Sequence, residues 1–326
     1  MEYIRLMPIA AESLGVRSLS FYVETPDVNV VVDPGVSLGK RFSRPPHVEE
    51  YRALKRLRER LNYFVEKADV LTISHYHFDH FTPIGILDYV WTWNEPSVAQ
   101  ELYRGKVILA KDAKNNINYN QRRRGSIFVK NVENLVKKLE FADGKCFEFG
   151  KTKLIFSCPV PHGEDGTRLG WVLMLLIEHA DERVVFTSDV QGPVSSSALE
   201  QIIKWKPQVV VLGGPPTYLS DVKSSQSSIQ QAFKNMELLA EVCDVLIVDH
   251  HLLRDENWSS FLSAVYDKAE SSSHCVLTVA EYLGVDNSPL ECRRKSLWSE
   301  SPPPEDFVKW CRMPYGKRKS TPPPID

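Results

Sequence analysis

The stretch Ser74-His75-Tyr76-His77-Phe78-Asp79-His80-Phe81 constrains this chain more than any other. Three histidines and a carboxylate fall within six residues, directly after the apolar run Val70-Leu71-Thr72-Ile73. A strand that stops and hands over to such a cluster presents ligands at the end of a sheet. Histidine and aspartate are the nitrogen and oxygen donors that Zn²⁺ and other first-row ions take. In an extended turn His75 and His77 lie two apart and point the same way. Asp79 and His80 follow as the chain turns into a helix capped by Thr82-Pro83, where they face a second, adjacent ion. A solvated, His-rich turn without metal is the alternative, and the rest of the chain decides between the two.

The same arrangement recurs. Asn29-Val30-Val31-Val32 reads as a short buried strand ending in Asp33-Pro34-Gly35, where the acid on its own reads as a turn-former. The hairpin Cys146–Phe149 and Thr152–Ser157 runs out into Pro161-His162-Gly163, and Arg183–Thr187 leads to Ser188-Asp189. Val245-Leu246-Ile247-Val248 ends in Asp249-His250-His251. Each candidate ligand thus closely follows an apolar strand, in the order His75-x-His77-x-Asp79-His80, His162, Asp189, then His250 or His251. Alternate strand residues point to opposite faces, so one of the last two coordinates while its neighbour donates a proton or orients substrate. His47 reads as a helix-start residue before an amphipathic helix at 48–66, and His179 as an exposed turn residue.

Composition narrows the class. A chain of 326 residues with 43% hydrophobic and 25% charged residues builds a globular core. Its net charge of −2 gives no general pull toward nucleic acid or membrane, so any anion site must be local. The six cysteines form no C-x-x-C pair and read as reduced thiols, the N-terminus lacks a signal-peptide pattern, and no apolar run is long enough to span a membrane. A cytoplasmic location with no membrane partner is the expectation.

One polar segment, Lys111–Gly125, carries Asn116, Asn118, Gln121, Arg122, Arg123 and Arg124. It is either a solvated loop before a helix near 129–139, or a clamp for a phosphate or carboxylate. Residues 1–300 read as one domain with this insertion at 111–126. Residues 301–326 read as a Pro-rich, partly extended tail.

The ligand order resembles that of the metallo-β-lactamase superfamily. The stretches A-A-E-S-L-G-V-R-S, V-D-P-G-V-S-L, G-G-P-P-T-Y-L and D-H-H-L-L-R-D more closely resemble a little-characterised, largely archaeal branch of predicted metallo-hydrolases. The resemblance implies an α/β (α+β) fold, a four-layer αβ/βα sandwich of two mixed β-sheets packed face to face with helices outside. It implies one ion on His75, His77 and His162, a second on Asp79, His80 and the terminal histidine, and Asp189 between them, with Asp33 supporting the ligand loop. Two divalent ions are expected. Zn²⁺ suits the set, and Mn²⁺ or Fe²⁺ fits it as well. A bridging hydroxide then attacks an ester, lactone or phosphodiester of a small anionic molecule. Asp79, Asp189, His250 and His251 are the candidate catalytic groups, and the polar segment with Tyr218 holds the substrate. A nuclease is the second reading, on the strength of Arg122-Arg123-Arg124, and a non-enzymatic binding protein the third.

Overall fold

The strands alternate small β-branched and aromatic residues so that both faces are apolar, which is what a sheet covered on both sides requires. A computed structural model describes residues 1–219 and 223–326. The first sheet has the order β1 (Arg5–Ala11), β2 (Leu19–Glu24), β3 (Asn29–Val32), β4 (Val70–Ile73), β5 (Val107–Ala110) and β6 (Lys138–Phe141). β1 to β3 form the expected antiparallel meander, and β3 to β6 run parallel.

The second half begins with the hairpin β7 (Cys146–Phe149) and β8 (Thr152–Phe156) and a two-stranded ribbon, β9 (Val160–Pro161) with β10 (Trp171–Val172). Then follow β11 (Leu175–His179), β12 (Glu182–Phe186), β13 (Val209–Gly213), β14 (Val245–Asp249) and β15 (Cys275–Leu277). The second sheet has the order β15-β14-β13-β12-β11-β8-β7, with β12 to β15 parallel and the rest antiparallel.

The two sheets face each other. Leu19, Phe21, Val32 and Thr72 from one meet Phe156, Leu175 and Phe186 from the other, and the Phe21 and Phe186 rings lie 5.4 Å apart edge-on. Period-two alternation sorts the second sheet. Val184, Phe186, Val209, Val211 and Ile247 belong to the inner core. Val185, Val210, Leu212, Leu246 and Val248 face outward, against α4 (Ser196–Trp205), α5 (Lys223–Val242) and α7 (Ser263–Ser271). Over the first sheet lie α1 (Val48–Lys67), α2 (Pro96–Tyr103) and α3 (Tyr119–Val132). The layers are therefore helix, sheet, sheet, helix, as expected. The short α6 (Trp258–Phe261) precedes α7, and α8 (Val279–Tyr282) and α9 (Arg294–Glu300) follow β15. No helix among the described residues is long and apolar enough to cross a membrane.

Two local expectations are corrected. Thr82-Pro83 starts no helix: residues 82–95 form turns around the buried Arg58, whose guanidinium donates to Thr82 Oγ1 and to the carbonyls of Val36 and Thr92. The segment read as a loop before a helix at 129–139 is itself helical from Tyr119, with Asn118 as N-cap, and residues 138–141 form β6. Its charged outer face hid a buried stripe of Gln121, Gly125, Phe128 and Val132. Gly125 is required there, because a Cβ would meet the Tyr76 ring at 2.7 Å. The tail is extended in part, at residues 302–304 and 322–326, and helical between them. α10 (Glu305–Arg312) buries Phe307 and Trp310 against Tyr51 of α1, and α11 (Tyr315–Ser320) follows. Phe307 and Trp310 stand three apart, a helical spacing that the flanking prolines obscured.

Candidate metal centre

Parallel strands of both sheets end at one edge of the sandwich, and the loops after them deliver the donors. β4 supplies residues 74–80, β9 supplies His162, β12 supplies Asp189 and β14 supplies His250 and His251. Two sets result. In the first, His75 Nε2 lies 3.0 Å from His77 Nδ1 and 3.7 Å from Asp189 Oδ2, and His162 Nε2 lies 2.9 Å from the same oxygen. In the second, His80 Nε2 and His250 Nε2 are 3.3 Å apart, and His250 Nε2 is 3.7 Å from Asp79 Oδ2. Asp189 lies between the sets, with Oδ2 3.6 Å from His80 and Oδ1 3.4 Å from His250. The donor atoms within each set, and those of a third grouping of Asp189, His250 and His251, lie within 4.8 Å of one another.

This geometry fits metal ions. Two donors ~2.1 Å from a tetrahedral ion stand roughly 3.4 Å apart, and the nitrogen pairs have that spacing. Ring nitrogens facing each other this closely make at most one hydrogen bond between them. His162 Nε2 and His251 Nε2 each approach an Asp189 oxygen to 2.9 Å without hydrogen-bond geometry, which is costly in an interior unless something else is bound. Burial, reinforced by the neighbouring imidazoles, holds His75 well below the usual histidine range. Burial likewise brings His77 down to about 3, so both offer lone pairs. Burial pushes the Asp189 carboxyl up, but His251, His162 and His250 outweigh it and keep it an anion.

The backs of the rings are held. Asp33, at φ +51, accepts from Ser74 N at 2.8 Å and Ser74 Oγ at 2.6 Å, and its Oδ2 lies 2.8 Å from His80 Nδ1. The aspartate read as a support for the ligand loop occupies that position. Ser74 Oγ stands 3.0 Å from His75 Nδ1, and the Glu12 carboxylate 3.5 Å from His250 Nδ1. Such contacts fix which nitrogen faces an ion and raise its basicity. His250 itself sits at φ +64, a left-handed backbone that side chains resist, at the centre of the site.

His250 and His251 part company here. His250 is fully buried and completes the set with Asp79 and His80. His251 lines the adjoining cavity. Its Nδ1 lies 3.0 Å from Arg254 Nη1 and 3.3 Å from Tyr218 Oη. Since arginine only donates, Nδ1 accepts, and Nε2 carries the proton, 2.9 Å from Asp189 Oδ1. Burial lowers this imidazole to about 3, so it is neutral at ordinary pH.

The cavity measures about 400 Å³, and His77, Asp79, His162, Asp189 and His251 open onto it. Of the candidate substrate groups, Arg124 and Tyr218 line it. Asn116, Asn118, Gln121, Arg122 and Arg123 do not, because α3 turns them elsewhere. Asn118 caps the helix and, with Gln121, donates to Leu169 O, while Asn116, Arg122 and Arg123 face solvent. His47 is the N-cap of α1, as read. His179 is buried, not exposed, within reach of Thr152 and Asp27.

Sequence reading passed over Arg17, Gln191, Arg254 and Glu12. Arg17 and Arg254 line the cavity, and Arg254 spans Glu12 at 3.0 Å and Asp79 at 3.5 Å. A lone acid in A-A-E-S-L-G and a lone base in D-H-H-L-L-R-D were the only signals, and their pairing bridges 242 positions.

Comparison with known proteins agrees with this architecture. A sequence model described as a beta-lactamase superfamily domain matches residues 16–231. A UPF0282 protein of Methanopyrus kandleri is 46% identical over 298 residues, covering 91% of this chain and 100% of the relative. One of Pyrococcus furiosus is 42% identical, covering 90% and 92%. Among solved structures, the metallo-beta-lactamase fold protein YhfI of Bacillus subtilis superposes with a TM-score of 0.50 at 14% identity, over 88% of this chain and 98% of that one. The sheet order, the ligand loops and these matches together place the chain in the beta-lactamase superfamily, with the metallo-β-lactamase fold and alongside the archaeal UPF0282 proteins.

Proposed function

We propose that the protein is a metal-dependent hydrolase that cleaves an ester, lactone or phosphodiester bond of a small anionic substrate in the cavity above Asp189. One observation carries this reading. The two donor sets open onto a cavity of about 400 Å³ that arginine side chains also line. A cavity of this size suits a metabolite.

His75, His77 and His162 would hold one divalent ion, Asp79, His80 and His250 a second, with Asp189 shared. Zinc suits this nitrogen and oxygen set, and manganese or iron fits it too. Ions bound there would supply a water deprotonated near neutral pH and a Lewis acid for the scissile group. The chain's own groups do the rest. His251 presents an Nε2–H toward the reacting centre and donates to the oxygen on which charge develops. Asp79, fixed by Arg254, orients the attacking water. Arg124 seats the anion.

The decisive experiment combines metal analysis with hydrolysis of bis-(p-nitrophenyl) phosphate, a p-nitrophenyl ester and a lactone, with His77→Ala as the blank. Metal-dependent cleavage of at least one substrate, abolished in the variant, is expected. A wild type that carries no metal and behaves like His77→Ala would sink the reading.

A further inference from the structure

The space over the metal centre continues into a second chamber of about 240 Å³, and the two share Leu169, Gln191, Pro216 and Leu219 as a common wall. The chambers differ in chemistry. The first exposes Arg17, Arg124 and Arg254. The walls of the second hold no lysine or arginine among the described residues. They present the apolar Val194, Pro215 and Ile229 beyond the shared leucines, with the hydroxyls of Thr167 and Ser228, and Glu164 as the charged group. Leu169 and Leu219, on two different loops, are 45% and 48% exposed at the mouth. Large apolar side chains clustered at the rim of a site mark contact with an apolar ligand group.

The arginines are not equivalent. Arg17 is held by Glu291 at 2.6 Å and Arg254 by Glu12. Arg124 lies 4.5 Å over the Phe78 ring and donates to Tyr76 O, and no carboxylate stands within ion-pair distance of it among the described residues. It is the cation in the cavity whose charge is left for a ligand.

We propose that the substrate has two parts, an anionic group seated on Arg124 and an uncharged apolar group seated in the Leu169–Ile229 chamber, with the scissile bond between them. This deepens the hydrolase reading and rests on it. In the reaction, the water oxygen bonds to the carbonyl carbon or phosphorus, the bond to the leaving oxygen breaks, and that oxygen takes the proton. A nucleic-acid strand fits poorly, because its next phosphate would enter an apolar chamber beside Glu164. An amphiphilic anionic ester, with an alkyl or aryl group on one side, satisfies both chambers.

The test is calorimetric binding of methyl-, butyl- and octylphosphonate to the zinc-loaded protein, which these ligands cannot turn over. Affinity is expected to rise about threefold to fourfold per methylene until the chamber is full. Ile229→Asp should flatten the series while leaving methylphosphonate binding unchanged. Ile229→Ser serves the same purpose should the charged variant fold poorly. Arg124→Ala should weaken every member by about tenfold or more. A flat series in the wild type, with methylphosphonate bound, overturns the two-part substrate and leaves the hydrolase reading standing. Failure of every member to bind also overturns it, and the hydrolase reading falls only where metal-dependent cleavage is missing as well.

Discussion

The loops after β4 and β14 perform the same task in the two sheets by different means. Each follows a parallel central strand, carries histidines into the site and leans on a buried aspartate. Asp33 supports the first loop by touching Ser74 and the imidazole of His80 itself. Asp249 supports the second by accepting from the main-chain amides of Ser13, His250 and Val279 and from the Ser13 side chain. Asp33 therefore bears on the donor strength of a ligand, whereas Asp249 ties the chain's beginning and end to the strand that bears His250. In the second loop the contact with the imidazoles passes to Glu12 and Arg254. A buried carboxylate at a strand end can thus serve chemistry or scaffold, and its partners tell which.

The largest expected effect separates the paired histidines. His250→Gln should lower metal content by one ion and abolish activity. His251→Gln should keep the ions and lower kcat by about a hundredfold, as loss of one donor to a developing oxyanion does. Metal analysis beside kinetics checks this, and loss of an ion from His251→Gln would reverse the assignment.

Next comes the aspartate pair. Asp33→Asn should cost about 10- to 100-fold in metal affinity with little change in melting temperature. Asp249→Ala strands three buried amides. It should destabilise the fold by at least about 3 kcal/mol, with metal affinity changed less than tenfold once folded. Denaturant melts with and without chelator distinguish the two. Equal loss of metal in both variants would break the contrast.

The smallest effect is a pH dependence at the cavity wall. Burial pushes the Glu291 carboxyl up, but Arg17, through its charge and hydrogen bonds, outweighs this and holds it down to about 2. A folded value below the unfolded one means the native state binds fewer protons, so this stabilisation is present above pH ~4.3 and is lost as pH falls toward 2. On the order of 3 kcal/mol is at stake. Acid unfolding of Glu291→Gln should show a shallower dependence in that window. An unchanged slope would remove Glu291 from the account.

The first loop was legible because all its parts are local. His75, His77, Asp79 and His80 sit in one turn after an apolar strand, and even Asp33 announced itself at a strand end. The donor order through His162 and Asp189 followed from the same rule. The α3 segment was misread because its charges face water while Gly125, a residue that usually disfavours helix, marks the close approach of Tyr76. The helix within the tail went unread because prolines flank it and its apolar residues have meaning only against Tyr51.

The sequence by itself carried the candidate donors and their order, since strand-end chemistry is a property of neighbouring residues, and its family resemblance implied the sandwich. The tertiary structure alone decided that His250 is fully buried beside Asp79 and His80 while His251 lines the cavity. It also decided that Arg124 is available while Arg17 and Arg254 are paired, and that an apolar chamber adjoins the site. Those outcomes depend on contacts such as Arg254 with Glu12 and Arg17 with Glu291, across 242 and 274 positions. Partners that far apart are chosen by the packing of two sheets, and no local pattern encodes them.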